Sequence, residues 1–87
     1  MKPVDYDILV FLENDTYVAY CPELDVSSCG ATIEQAKDML RSAVRLFLEE
    51  AEKMGTVEDI LEEAGYKKKR SGWEPPRLVA TELATTK

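Results

Sequence analysis

The chain has 87 residues, 11 Lys and Arg against 17 Asp and Glu, two Cys and no His. A length below the usual range of about 100–200 residues per domain allows one small domain, and 45% hydrophobic with 32% charged residues describes a globular chain rather than a disordered one. Without His there is no Ser-His or Cys-His nucleophile pair and no Cys/His zinc site, and a net charge of −6 opposes broad binding to nucleic acid or anionic membranes while leaving room for a basic partner.

The opening Met1-Lys2-Pro3-Val4-Asp5 lacks the apolar core of a signal peptide, and the longest apolar run falls well short of the ~20 residues of a membrane span. The expectation is a cytoplasmic protein whose Cys21 and Cys29 are free, half-buried thiols. A bridge between them, across the strand connection they flank, is the alternative.

In chain order, Tyr6 to Leu12 is rich in β-branched and aromatic residues and predicts a first strand, ended by the turn formers Glu13-Asn14-Asp15. Thr16 to Cys21 predicts a second strand, joined to the first by a three- or four-residue loop and ended by Pro22. Val26 to Cys29, closed by Gly30, predicts a third. Thr32-Ile33-Glu34-Gln35 has the form of a capping box, in which the Thr hydroxyl and the Gln side chain satisfy each other's backbone amides. Ile33, Ala36, Leu40, Ala43, Val44, Phe47, Leu48 and Ala51 then recur at spacings of three and four, the stripe of an amphipathic helix running to about Met54 with Gly55 as its terminator. A short helix follows, with Thr56 as its N-cap and Gly65 as its stop. Tyr66 to Pro76 reads as a connector that Trp73 anchors to the core, and Arg77 to Leu83 as a last strand. The fold expected is α+β, a single small sheet in βββα(α)β order on one long amphipathic helix.

Leu9 and Phe11 fall on the sheet face opposite to Tyr6, Ile8, Val10 and Leu12, so neither face of the first strand is polar. Met39 and Leu46 lie one heptad apart and well off the main helical stripe. These four residues are the candidate interface of a homo-oligomer, a dimer or tetramer, unless the C-terminal half folds back over both patches.

No cluster has a spacing diagnostic of catalysis or metal binding. The acids at 34 and 38 suit a helix N-terminus, the two thiols lack CxxC spacing and a neighbouring His, and there is no P-loop, GxGxxG or EF-hand loop. No cofactor is implied. The basic run Lys67-Lys68-Lys69-Arg70, with Trp73 and Arg77, is the candidate nucleic-acid contact, by phosphate pairing and base stacking, although such a run is commonly a solvated turn. Glu58, Asp59, Glu62 and Glu63, with Glu49, Glu50 and Glu52, form the densest charge feature. It suits either a basic protein partner or a solubilising face. Residues 1–30 carry one base and six acids, residues 31–66 four and nine, and residues 67–87 six and two, so the tail alone is basic.

Tyr17-Val18-Ala19-Tyr20-Cys21-Pro22-Glu23-Leu24, followed by Ser28-Cys29-Gly30-Ala31-Thr32-Ile33-Glu34-Gln35-Ala36, resembles the HicB-like antitoxin family, with its "GYVAxxPELPG" strand and turn and its "GxTxEEA" helix start. Trp73-Glu74-Pro75-Pro76 looks like the longer stand-alone members. The resemblance implies a partial, degenerate ribonuclease-H-like sheet and a non-enzymatic role: neutralising a HicA-like toxin, a small basic mRNA-cleaving protein, by covering its catalytic His. The sequence departs from the pattern at Asp25-Val26, where Pro-Gly is usual, which implies a differently shaped turn. It also carries no helix-turn-helix or ribbon-helix-helix pattern after the last strand, so direct DNA binding is not expected. The rival expectations are an RNA-binding or degenerate nuclease module and a stand-alone regulatory binding protein.

Overall fold

The computed structural model describes residues 1–87. Three strands, β1 (Leu9–Glu13), β2 (Thr16–Cys21) and β3 (Val26–Gly30), form an antiparallel meander in the order β1-β2-β3. The helices α1 (Ile33–Lys53) and α2 (Val57–Glu63) follow, and then two short strands, β4 (Lys67–Lys68) and β5 (Trp73–Glu74), form a second antiparallel sheet. The α+β class is as expected, but there are two sheets rather than one.

The β1-β2 hairpin is tighter than the sequence suggests. Glu13 pairs with Thr16, which leaves a two-residue loop of Asn14 and Asp15 with φ of 46° and 36°. Two left-handed residues make a type I′ turn, whose twist matches that of the flanking strands, and Asn and Asp tolerate that conformation. At the other end, β1 begins at Leu9 and not at Tyr6: its last pair with β2 is Leu9 with Tyr20, one residue before β2 ends at Cys21, and Pro22 has no N–H to extend the ladder. The Asp7 amide instead donates to the Glu23 carboxylate at 3.1 and 3.2 Å, which fastens the β2-β3 turn to the incoming chain.

The helix α1 starts where its sequence signals lie. The Thr32 hydroxyl accepts from the Gln35 amide at 3.0 Å, but the Gln35 side chain accepts from the Ala31 amide at 2.6 Å, one residue earlier than a regular capping box. Gly30 permits the turn into the helix: a Cβ there would meet the Ala36 nitrogen at 2.7 Å. Both helices end in Schellman motifs, with Gly55 and Gly65 at φ of 73° and 90°, and with Thr56 N–H donating to Ala51 O at 2.9 Å and Tyr66 N–H to Leu61 O at 2.9 Å. Thr56 makes no side-chain cap. Its hydroxyl turns back to the Ala51 carbonyl, at 3.3 Å.

The core lies between the sheet and α1. Ala36, Leu40, Val44, Leu48 and Ala51 of α1 are buried, and all but Ala51 join one cluster with Ala19, Cys21, Leu61, Tyr66 and Trp73. The buried stripe is narrower than the apolar one: Ile33 is 46% and Phe47 36% exposed, because three strands cover only a strip of the helix. Trp73 anchors its segment as expected, but that segment is a hairpin and not a loose connector. Trp73 N–H donates to the Pro3 carbonyl at 2.8 Å and Asp5 N–H to the Trp73 carbonyl at 3.1 Å, a parallel bridge between Val4 and Trp73.

Two further expectations are corrected. Arg77 to Leu83 is no strand: no backbone hydrogen bond reaches it, and Leu78, Val79 and Leu83 are 53%, 83% and 98% exposed. Pro75 and Pro76 have no N–H to continue the pairing started at Trp73. The two thiols are free but unlike, Cys21 buried and Cys29 exposed. Cys21 stands opposite Val26 and Cys29 opposite Val18, so they project from opposite faces of the sheet and no bridge joins them.

Candidate partner-binding surface

The amphipathic pattern of α2 places Leu61 in the core and leaves Glu58, Asp59, Glu62 and Glu63 exposed. Glu49, Glu50 and Glu52, in the last turns of α1, are exposed as well. The acids that the sequence groups together are therefore all at the surface, on two helices joined by three residues. Glu58 is the one α2 acid in an ion pair, with Lys68 Nζ 3.7 Å away, while Asp59, Glu62 and Glu63 have none. The Glu58-Lys68 pair crosses from α2 to the hairpin and has no signature in local spacing.

The position of these acids on the helix is informative. Glu58 and Asp59 occupy the first turn, where negative charge suits the helix dipole, but Glu62 and Glu63 lie at the opposite end, and the last turn holds no base. Carboxylates there face the negative end of the dipole, which costs about 0.3–1 kcal/mol at an exposed site.

The basic run is split by the hairpin. Lys67 and Lys68 form β4, with Lys69 and Arg70 entering the turn, and all four are exposed. Lys68 Nζ lies 5.6 Å from the Trp73 ring centre, and Trp73 is only 5% exposed. The aromatic that an RNA-binding reading needs as a stacking platform is thus part of the core, and one of the four bases is engaged over it.

Leu9 and Phe11 project to the face of the meander opposite α1, in register with Tyr20 and Val18. Phe11 remains 50% exposed, and on α1 Met39 and Leu46 are 51% and 62% exposed. The C-terminal half packs against residues 3–5 and covers neither patch.

The buried titratable groups collect where the β2-β3 turn meets the incoming chain. Burial raises the Cys21 thiol to about 11, with the Glu23 carboxylate beside it adding to the effect, so it carries little thiolate at neutral pH. Burial also raises Glu23 and, strongly, the Tyr66 phenol. No set of three or more Cys, Asp or Glu side chains stands close enough together to hold a metal ion, and no helix is long and apolar enough to cross a membrane.

A scan of protein-family models and searches among curated proteins and solved structures return no match for this chain.

Proposed function

We propose that this chain is a non-enzymatic, antitoxin-like protein of the cytoplasm, which binds and neutralises a small basic mRNA-cleaving partner of the HicA type through the acidic surface of α2. The observation that carries this reading is the unpaired Glu62 and Glu63 at the C-terminal end of a helix. A merely solubilising face gains nothing from putting acids where the dipole disfavours them, whereas a surface shaped for a basic protein does. The residues of the HicB-like resemblance support it from a second side: Tyr17 to Leu24 supply β2 and its turn, and Gly30 and Thr32 supply the tight turn into α1. Asp25, in the stretch where the family pattern has Pro-Gly, is left-handed at φ 55° and accepts a 3.0 Å hydrogen bond from the Tyr20 hydroxyl. The parallel bridge of Val4 and Trp73 beside an antiparallel meander supports a partial ribonuclease-H-like architecture. The exposed Phe11, Met39 and Leu46, with the half-buried Leu9 beside Phe11 on the same sheet face, support self-association as a dimer or tetramer.

The test is co-expression with a basic RNA-cleaving protein encoded beside this chain. Relief of toxicity and co-purification, both lost when Glu58, Asp59, Glu62 and Glu63 are changed together to Lys, are the expected results. Co-purification that survives the fourfold reversal removes α2 as the contact surface, and failure of the unaltered chain to relieve toxicity removes the antitoxin role.

A further inference from the structure

The chain holds an open sheet edge and, separately, a strand-like segment with no sheet. β1 is an edge strand of the meander, paired on one side to β2 and on the other to nothing. Natural edge strands are usually blunted by Lys, Pro, a bulge or a covering helix. Leu9-Val10-Phe11-Leu12 has no Lys or Pro, its register with β2 is unbroken, and α1 packs chiefly across β3 and β2. Apolar side chains stand exposed on both of its faces, Phe11 at 50% and Leu12 at 65%. An added strand would cover both.

The unpaired segment is Arg77-Leu78-Val79-Ala80-Thr81-Glu82-Leu83. Its composition suits a strand and it contains no Gly or Pro, yet all its residues are exposed and none makes a backbone hydrogen bond. It does not return to its own β1. The parallel bridge at Trp73 starts it alongside residues 4–7, but Pro75 and Pro76 offer no N–H there. An open cleft of about 430 Å³, lined on its two sides by Asp5 and Asp7 and by Glu74 to Leu78, separates the arm from that stretch. The Cα radius of gyration, 14.4 Å, exceeds the ~12 Å of a compact chain of this length, as a projecting arm requires.

We propose that the arm Arg77–Leu83 of one copy adds as a strand to the free edge of β1 of a second copy, reciprocally, so that two chains form a dimer by exchange. The occupant is a second copy because each chain supplies one open edge and one free strand, and two copies related by a two-fold axis satisfy both with nothing left over. The lengths agree: seven arm residues extend over roughly 23 Å, and the five of β1 over roughly 17 Å. Alternation divides the arm into Leu78, Ala80 and Glu82 on one face and Arg77, Val79, Thr81 and Leu83 on the other, so it brings apolar cover to both faces of the edge. This dimer does not depend on the antitoxin reading and does not use the acids of α2.

Light scattering coupled to gel filtration at about 20 μM tests the mass, and filtered nuclear Overhauser spectra on a mixture of isotope-labelled and unlabelled chains test the contact. The full chain is expected at twice the 9.8 kDa monomer mass, with cross-peaks between chains linking residues 77–83 to residues 9–13. A double Val79→Pro, Thr81→Pro variant, which alters only exposed arm residues, is expected at monomer mass with its helical far-ultraviolet signal retained and the strand contribution of the arm lost. Leu12→Lys, changed on the edge itself, is expected to weaken the dimer at least tenfold. A monomeric full chain, arm-to-β1 contacts found only within one chain, or a proline variant that remains dimeric through Met39 and Leu46 would each overturn the proposal.

Discussion

The Tyr66 hydroxyl donates a 2.6 Å hydrogen bond to the Asp5 carbonyl, tying the residue that follows the α2 cap to the start of the chain. Tyr66 is 4% exposed, so its ring is core and its oxygen has a single protein partner. Tyr66→Phe keeps the ring and removes the donor to a half-buried carbonyl, which costs about 1–2 kcal/mol. Trp73→Ala removes a buried indole from the same junction and costs about 3–5 kcal/mol. Urea denaturation checks both, and the expected order is a modest fall in midpoint for the first and a large one for the second.

The same junction sets the response to alkali. Cys21 holds its proton up to about 11 in the fold, against an ordinary value near 9, because its burial disfavours the thiolate. The unfolded chain therefore gives up this proton first as pH rises. Stability is full below pH 9, declines between pH 9 and 11, and has by then lost on the order of 2 kcal/mol. The raised Tyr66 phenol acts in the same direction and extends the loss above pH 10. Cys21→Ala is expected to flatten the decline between pH 9 and 10, measured by thermal melts across that range. A slope unchanged by the substitution would place the effect elsewhere.

Two glycines with positive φ separate conformational from steric cost. Gly55, at φ 73°, has open space where a Cβ would be, so Gly55→Ala carries only the left-handed penalty of about 1–2 kcal/mol. Gly72, at φ 153°, lies against the Pro3 carbonyl, which also accepts the Trp73 amide. Gly72→Ala has to push the N-terminal segment around Pro3 away from that hydrogen bond, and overpacking of this kind adds about 1–3 kcal/mol. The expected melting temperatures fall in the order wild type, Gly55→Ala, Gly72→Ala. Equal losses would mean that the Pro3 segment yields without cost.

What the sequence discloses about this fold divides by the range of the interactions. The span of α1 is legible because its periodicity, the Thr32 cap and the Gly55 terminator are all local and agree, and the hairpin of β1 and β2 is legible from its β-branched and aromatic runs and the turn residues between them. The C-terminal hairpin is not, because its strands have two residues each and are held by Trp73 packing near Val4, about seventy positions away. The strand expected at Arg77 to Leu83 misses for the same reason: β-propensity describes a segment that suits a sheet, and a partner edge must still be within reach. Of the candidate surface, the exposure of Glu58, Asp59, Glu62 and Glu63 follows from helical phase, whereas the engagement of Lys68 by Glu58 and Trp73 depends on the hairpin and has no signal in spacing.

The acids of α2 give a prediction in which stability and binding move in opposite directions. Glu62→Lys with Glu63→Lys replaces two carboxylates at the negative end of a helix dipole with two cations, in a turn that has no base. Neither carboxylate is in an ion pair, so no native contact is lost. The double variant is expected to be more stable by about 0.5–1 kcal/mol, most clearly at low ionic strength because salt screens the effect. On the proposed function, the same change places like charge against a basic partner, weakening association by tenfold or more and slowing its on-rate. Thermal melts at low and high salt, together with binding kinetics of the co-expressed partner, read both quantities from one protein. A variant that is stabilised yet binds unchanged would leave these acids a solubilising face, and one that is destabilised would show that the dipole does not govern this helix end.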